Sequence, residues 1–411
     1  MRWLKWILLL LCCLALFACG DDDDPSTSSG QADDDNDDAG DDDGDDDDDD
    51  ESDDDTTDDD DATPLVYGDD LVYSGDDGLR ALLNDGKGYG EPVVLDADIR
   101  ADDIAVADFD DDGHTDIVLS SFQGIDVLFN QGNGVQYKKV NNINLHFPDG
   151  FVAADFTGDG ILDLAGYSFY HKKVYLYAHD GAGHFTETEI VDLSEYSVVS
   201  MIAADFNNDG RPDLALGAKK YLYIYTNNGD GTFERSERFS GYYVSFWFES
   251  LAAHDLNGDG NLDVIATFSH GELYILHGNG DGTLTEAEAM EIETDYLNLL
   301  VAADYDRDGN LDLVIGYGYG SVGILHGRSD GTFRQPDFLF GSEGNLFLAV
   351  AQINNDDYPD LIVAYEDWET KGPSPYQHMG VLPGKGELGF GPLTRLDENV
   401  ELIRVADLDG Q

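Results

Sequence analysis

Cysteine is almost absent from this chain of 411 residues. Its three cysteines, Cys12, Cys13 and Cys19, all lie in the first 19 residues. The rest of the chain therefore has no disulfide to stabilise its fold, although disulfides are common in exported proteins. If the chain is exported, another cross-link must supply that stability, and a bound metal ion can do so.

Basic residues are scarce as well. The chain carries 21 lysines and arginines against 87 aspartates and glutamates, which gives a net charge of −66. Residues 21–61 hold 25 Asp, one Glu and no basic residue, and residues 62–411 still carry 61 acidic and only 19 basic residues. Such a charge repels nucleic acid and anionic membrane surfaces, so we expect no nucleic-acid partner. It favours the binding of cations.

Two further absences narrow the possible functions. The sequence contains no HExxH or GxSxG motif and no phosphate-binding loop, so no set of catalytic residues is visible. From residue 64 onwards no long run with a helical period is free of glycine, which argues against helices. The sequence therefore predicts an all-β domain over 64–411, for which catalysis is undecided and not favoured.

A nine-residue motif recurs along this domain with the pattern D-x-[D/N/T]-x-D-G-x-x-D. Oxygen-bearing side chains stand at positions 1, 3, 5 and 9, and Gly at position 6 permits a sharp turn. A tight loop of this kind can direct several oxygens at one hard cation. The five intact copies are Asp108–Asp116, Asp155–Asp163, Asp205–Asp213, Asp255–Asp263 and Asp304–Asp312. We predict one Ca²⁺ at each; the alternative is an Asp/Gly-rich turn without metal.

The predicted ligands follow from the motif. They are Asp108, Asp110, Asp112, Asp116, Asp155, Thr157, Asp159, Asp163, Asp205, Asn207, Asp209, Asp213, Asp255, Asn257, Asp259, Asp263, Asp304, Asp306, Asp308 and Asp312. The first and fifth loops carry four carboxylates and should bind most tightly. Two degenerate copies predict weak sites or none, through Asn354, Asp356 and Asp360 in the sixth loop and Asp407 and Asp409 in the seventh.

The spacing of these loops indicates the architecture. Position 12 is never Glu and β-like residues flank each loop, so the motif is not an EF-hand. The copies begin at residues 108, 155, 205, 255, 304, 352 and 407, a period near 50 that is typical of propellers and solenoids. Each interval accommodates four short strands, which is one propeller blade.

The Asp loop, two strands and a turn such as Asn228–Phe233 together resemble the FG-GAP and VCBS repeats, which are similar to the propeller of integrin α chains. The resemblance covers 64–411 and implies a seven-bladed β-propeller that binds Ca²⁺ in intact loops and associates with macromolecules or sugars. Residues 401–411 supply only an inner strand and half a loop, while residues 70–95 match the missing part. We therefore expect both termini to close the seventh blade, with Asp70 contributing to its loop.

The N-terminal 63 residues predict export and anchoring. Arg2, Lys5 and the apolar run that follows indicate a signal peptide over 1–18. Residues 16–19 resemble a bacterial lipobox, which implies a lipidated Cys19 that attaches the chain to a membrane; an ordinary signal peptide is the alternative. Residues 19–63 are expected to form a disordered tether. We expect a location in the bacterial cell envelope, at the outer membrane or cell surface.

Ligands are expected on the face opposite the Asp loops. Aromatic residues concentrate there at Tyr242, Tyr243 and Trp247, in a linker between blades, and at Trp368 and Tyr376, in a long loop of the sixth blade. Aromatic rings with polar edges suit sugars or peptides; packing between blades and a plain surface loop are the alternatives. We expect a monomeric binding or adhesion module for a protein or glycan. The competing hypotheses are a propeller-fold polysaccharide lyase or hydrolase, and a purely structural envelope protein.

Overall fold

The computed structural model describes residues 69–408, except for 76, 86–87, 143–144, 147, 194–197, 220, 241–247, 270, 287–288, 293–296, 318–320, 342–343, 355, 357, 368–375, 387–388 and 399. The signal peptide over 1–18, the lipidated Cys19 and the tether over 19–63 lie outside the described residues and stay predictions. Within the described part of the chain, no helix is long and apolar enough to cross a membrane.

Regular structure in the described residues consists of β-strands, and no α-helix occurs among them. In chain order the strands are β1 (Asp70–Gly75), β2 (Gly78–Leu82), β3 (Val93–Asp96), β4 (Asp103–Ala107), β5 (Asp116–Ser121), β6 (Gly124–Asn130), β7 (Tyr137–Asn142), β8 (Gly150–Ala154), β9 (Asp163–Ser168), β10 (Lys173–His179), β11 (Phe185–Asp192), β12 (Val198–Ala204), β13 (Asp213–Ala218), β14 (Tyr221–Asn227) and β15 (Phe233–Ser240). They continue as β16 (Phe248–His254), β17 (Asp263–Phe268), β18 (Glu272–Gly278), β19 (Leu284–Glu286), β20 (Met290–Glu291), β21 (Leu297–Ala303), β22 (Asp312–Tyr317), β23 (Ser321–Leu325), β24 (Asp337–Gly341), β25 (Gly344–Ala351), β26 (Asp360–Asp367), β27 (Tyr376–Leu382), β28 (Thr394–Glu398) and β29 (Val400–Ala406).

Seven antiparallel sheets form the seven blades of a closed ring. Blades one to six are β4–β7, β8–β11, β12–β15, β16–β20, β21–β24 and β25–β28, and the seventh has the strand order β29-β1-β2-β3. The first strands of successive blades contact one another in turn, from β4 through β8, β12, β16, β21 and β25 to β29, which contacts β4 again. The fold is a seven-bladed β-propeller, which confirms the prediction.

The first and last described strands meet in the seventh blade. β29 pairs antiparallel with β1, so that Asp70 lies opposite Ala406 and Tyr73 opposite Ile403. The predicted closure by both termini is therefore confirmed. Because the pairing joins the first and last strands, it removes two strand edges that could otherwise pair with another chain.

The core lies between the blades, which explains the composition of the strands. All six residues of β13 are buried. Leu214 and Leu216 pack with Met201 and Tyr223 against blade two, whereas Ala215 packs into the cluster shared with blade four. A second strand is covered on both faces, so it is apolar at nearly every position; outer strands such as β7 are partly exposed and mostly polar.

Candidate metal loops and the opposite face

The five intact Asp loops occupy equivalent places in blades one to five. Each joins the first strand of its blade to the second, so that Asp108–Asp116 lies between β4 and β5. The turns between third and fourth strands lie on the same side, since the N–H of Gly282 donates to the carbonyl of Phe206 in the third loop (3.0 Å). We call this side the Asp-loop face. The loops between second and third strands and the linkers between blades form the opposite face.

The aspartate at position 1 organises its own loop. Oδ1 of Asp108 accepts the N–H of Asp112 (3.1 Å), and Oδ2 accepts the N–H of Gly113 (2.8 Å). The other four intact loops repeat both bonds, at 3.1 Å and at 2.7–3.0 Å. Gly113 has φ of 87° and Asp111 has φ of 58°, a left-handed curl that glycine adopts without strain. The motif therefore encodes one defined loop conformation in five places.

The aspartate at position 9 is fully buried and begins the second strand. Oδ2 of Asp116 accepts the N–H of Phe109 (2.9 Å), while Oδ1 accepts the N–H of Asn130 at the end of the third strand (2.8 Å). Equivalent bonds recur in blades two to six, at Asp163, Asp213, Asp263, Asp312 and Asp360. This carboxylate holds the loop against the third strand by its own hydrogen bonds, in addition to any metal ligation.

Carboxylates converge most closely in the two loops that carry four of them. In the first loop, oxygens of Asp108, Asp110 and Asp116 lie within 4.8 Å of one another. The fifth loop holds a similar group of Asp304, Asp306 and Asp308. Closely spaced carboxylates also occur on protein surfaces without metal. The presence of Ca²⁺ at these two loops therefore stays a prediction.

Burial makes the negative charge of these loops costly. Burial, with smaller contributions from Asp110 and Asp112, raises the pKa of Asp116 to about 7, although two backbone hydrogen bonds lower it. Burial also raises the pKa of Asp213 to about 6. A cation among the carboxylates would offset both the burial and the repulsion. Carboxylate and carbonyl oxygens are the ligands that Ca²⁺ prefers, so the residues fit this ion.

Two histidines add nitrogen atoms that the sequence reasoning missed. Nδ1 of His326 lies 3.4 Å from Oδ2 of Asp306 and 3.5 Å from Oδ1 of Asp312. Nδ1 of His277 lies 3.2 Å from Oδ1 of Asp263 in the fourth blade. Both histidines stand 14 residues after the position-9 aspartate. That fixed offset to the end of the third strand is the signal that could have revealed them.

The sixth loop departs from the pattern. Gln352 replaces the aspartate at position 1, and its Nε2 donates to the carbonyl of Asp356 (2.7 Å). The N–H of Gln352 donates to Oδ2 of Asp69 (2.6 Å), and the N–H of Asp69 donates back to the carbonyl of Gln352 (2.7 Å). The described chain thus enters the propeller on the Asp-loop face. Weak or absent metal binding through Asn354, Asp356 and Asp360 stays a prediction.

The seventh loop is assembled from both ends of the chain. Oδ2 of Asp70 accepts the N–H of Leu408 (2.8 Å), and Oδ1 accepts the N–H of Asn84 (2.7 Å). These are the position-9 bonds of the other blades, so Asp70 completes the loop that Asp407 begins. Asp409 lies outside the described residues, and metal binding at this loop also stays a prediction.

The predicted ligand-binding aromatics fall mostly outside the described residues. Four of them lie outside the described residues: Tyr242, Tyr243, Trp247 and Trp368. Tyr376 is described only as the first residue of β27. Their role stays a prediction. The neighbouring Phe248 is fully buried, with its ring 4.2 Å from that of Phe268, so the end of this aromatic run belongs to the core.

Five stretches of the chain match the model of the FG-GAP-like repeat, at residues 108–166, 155–216, 205–266, 255–315 and 304–363. The matches overlap and together span 108–363. The chain belongs to the FG-GAP-like repeat family. Each repeat begins at position 1 of an Asp loop and ends in the second strand of the following blade, so every FG-GAP-like match contains two successive Asp loops.

Solved structures share the fold of this FG-GAP-like propeller at low sequence identity. A lectin from Agrocybe aegerita, described as recognising non-reducing terminal N-acetylglucosamine, is 19% identical with a TM-score of 0.62, over 84% of this chain and 96% of the lectin. A periplasmic gluconolactonase of Pseudomonas aeruginosa is 13% identical with a TM-score of 0.56, over 84% of this chain and 100% of the lactonase. No curated protein matches the sequence. These similarities show the propeller fold alone, which serves a lectin and an enzyme alike.

Proposed function

We propose that this propeller is a calcium-stabilised binding module, anchored by a lipid at Cys19 to a bacterial cell envelope, that binds a protein or glycan as a monomer. A propeller of FG-GAP-like repeats fits a binding module in general. The observation that carries the calcium part is the repetition of one loop conformation in five blades. The same two hydrogen bonds to the position-1 aspartate recur each time.

Calcium would contribute a large share of the stability. Extracellular modules bind Ca²⁺ with dissociation constants of about 0.1–1 mM. At tenfold over that constant each site adds about 1.4 kcal/mol. Five sites would add about 7 kcal/mol, which is comparable with the whole stability of a typical domain, about 5–15 kcal/mol. Residues 20–411 contain no cysteine, so calcium would take the place of disulfides.

The anchor is proposed from the sequence of the first 63 residues, which carry the predicted signal peptide, Cys19 and the tether. We place the protein at the outer membrane or cell surface, where calcium is present at millimolar concentration.

The calcium dependence is tested by thermal unfolding of the full-length chain in mild detergent, over a range of free Ca²⁺ and with a chelator. The melting temperature should rise by many degrees and saturate near about 1 mM Ca²⁺. Mg²⁺ at the same concentration is the control and should raise it less, since Mg²⁺ demands near-octahedral geometry and releases its water reluctantly. Equal melting temperatures in Ca²⁺ and chelator would mean that the loops are only turns.

The anchor is tested separately by cell fractionation. The chain should sediment with membranes, and Cys19→Ala should move it to the soluble fraction, because it removes the only thiol available for lipidation at the lipobox. A Cys12→Ala variant, altered inside the signal peptide, is the control and should stay with the membranes. Membrane association that survives Cys19→Ala would contradict lipid anchoring and leave the calcium proposal unaffected.

A further inference from the structure

Among the described residues, exposed aromatic side chains concentrate on the opposite face of blades one and two. Tyr170 is 85% exposed and Phe169 is 36% exposed, both in the loop between β9 and β10. Phe122, in the corresponding loop of blade one, is 72% exposed. The other exposed large apolar side chains of the described residues, Val94, Val135 and Phe338, lie on outer strands or on the Asp-loop face.

The loop that carries Tyr170 is held firmly in place. The N–H of Lys172 donates to the carbonyl of Ser168 (2.7 Å), and the carbonyl of Lys172 accepts the N–H of Leu193 (3.1 Å). The N–H of Phe169 donates to Oδ2 of Asp149, in the linker from blade one (2.6 Å). Bonds to two separate segments fix the loop, so the exposed rings are presented with little conformational entropy left to lose on binding.

Behind Tyr170 lies a continuous row of rings. The ring of Tyr170 meets that of His171 edge-on at 5.0 Å, and His171 meets His146 edge-on at 4.7 Å. His146 in turn stacks on Tyr175, with centroids 4.9 Å apart and planes 9° from parallel. We refer to Tyr170, His171, His146 and Tyr175 as the aromatic row.

A carboxylate orients the middle of the row. Oε1 of Glu187 lies 2.5 Å from Nδ1 of His146, and Oε2 accepts the backbone N–H of His146 (2.6 Å). The hydroxyl of Tyr177 donates to the His146 carbonyl (2.5 Å). His146 is still 46% exposed at its side chain, so polar ring atoms accompany the exposed aromatic surface of the row.

We propose, building on the binding function proposed above, that the aromatic row is a binding site for an uncharged carbohydrate. Sugar rings present apolar C–H faces that stack on aromatic rings, while their hydroxyls need donors and acceptors such as imidazole and carboxylate groups. Residues 62–411 carry 61 acidic against 19 basic residues, a balance that disfavours acidic glycans. The rings of the row come from the β9–β10 loop, from β10 and from the linker before β8. Such a set of contacting rings suits a sugar ring better than the backbone hydrogen bonding of an extended peptide.

Affinity electrophoresis of the full-length chain tests this assignment. The gels contain Ca²⁺ and one soluble polysaccharide each: galactomannan, mannan or xyloglucan as neutral probes, and chondroitin sulfate as the acidic one. We expect retardation by at least one neutral polysaccharide. Tyr170→Ala should raise the dissociation constant about tenfold or more, and Tyr170→Phe, which keeps the ring, should change it by less than about threefold.

Phe338→Ala is the matched control, because Phe338 is 65% exposed but lies on the outer strand of blade five. It should leave the dissociation constant unchanged. All three variants alter exposed side chains, so their melting temperatures in Ca²⁺ should equal that of the parent chain.

Four results would overturn the assignment. One is retardation by chondroitin sulfate alone or by no polysaccharide; another is an equal loss of affinity in Tyr170→Ala and Phe338→Ala. The third is Tyr170-dependent capture of a peptide from an array in the absence of sugar binding. Neutral-sugar binding that survives Tyr170→Ala would also place the site elsewhere, but it would uphold the proposed binding function. The calcium-dependent melting temperature reports on the fold independently of all these outcomes.

Discussion

Replacing Arg404 with Met should destabilise the closed ring by about 3–5 kcal/mol, because it removes the guanidinium that pairs with a buried carboxylate. Arg404 lies on β29 and is 7% exposed, and Asp103, at the start of β4, is 4% exposed. Nη2 of Arg404 pairs with Oδ1 of Asp103, and Nε donates to the carbonyl of Ile104 (2.7 Å). The pair therefore joins the last strand of the chain to blade one.

The contacts that remain place the expected loss near the lower end of this range. Asp103 keeps two backbone donors in the variant, the N–H of Ile104 (2.9 Å) and that of Phe151 in blade two (2.9 Å). Methionine also replaces much of the aliphatic stem of Arg404, which limits any cavity. We therefore expect about 3 kcal/mol, mostly from the loss of the ion pair with Asp103.

Urea unfolding at constant Ca²⁺ measures this loss, and a double-mutant cycle isolates the pair. Asp103→Asn alone should also destabilise, since it removes the negative charge that Nη2 of Arg404 contacts. The Arg404→Met/Asp103→Asn chain should be about 2 kcal/mol more stable than the sum of the single losses predicts. If the two single losses sum to the loss of the double variant within about 0.5 kcal/mol, the proposed coupling of Arg404 and Asp103 is refuted. Lys173→Met, which removes an exposed pair with Glu189 (2.5 Å), is the control and should leave the midpoint unchanged.

Three further changes test the Asp loops, the contacts between blades and a carboxyl group on β16. Asp112→Asn should lower the melting temperature in Ca²⁺ but not in chelator. The control Asp281→Asn, in a turn on the same face, should leave both melting temperatures unchanged. A fall of the same size in Ca²⁺ and in chelator for Asp112→Asn would count against metal ligation. Asn227→Ala removes two hydrogen bonds from Nδ2, to the carbonyls of residues 156 and 212 (3.0 and 3.1 Å). It should lower the free energy of unfolding, measured in urea, by about 2 kcal/mol. The control Asn228→Ala, at an exposed position, should leave that free energy almost unchanged. Burial raises the pKa of Glu249 from 4.5 to about 8, so the folded chain holds a proton that the unfolded chain releases, and stability should fall as pH rises between these values. Glu249→Gln should flatten that part of the profile of melting temperature against pH, and an unchanged slope would contradict the assignment.

The blades and loops could be predicted because the forces that shape them act over short stretches of chain. The position-1 aspartate bonds to residues four and five positions later, and Gly113 supplies the left-handed turn within the same nine residues. The blade count follows from the number of such loops. Closure of the ring could also be predicted, because residues 401–411 and 70–95 are complementary parts of one repeat.

The contacts between blades were beyond prediction from the sequence. Arg404 and Asp103 are 301 residues apart, and Nδ2 of Asn130 reaches the carbonyl of Leu408 (2.6 Å) across 278 residues. Lys, Arg and Asn occur at many positions where they face solvent, so no local pattern marks the few that become buried. The aromatic row was missed for the same reason, since His146 lies in one linker and Tyr170 in another loop.

The sequence by itself determined the seven blades, the closed ring and the conformation of the Asp loops, because each depends on a repeated local pattern of glycine, aspartate and apolar strand residues. Tertiary structure alone decided which side chains meet: His326 beside Asp306 and Asp312, Arg404 beside Asp103, and the rings of the aromatic row. Those side-chain contacts depend on how each blade is oriented and packed against the next. That geometry arises from the buried side chains of two blades together, and no single repeat specifies it.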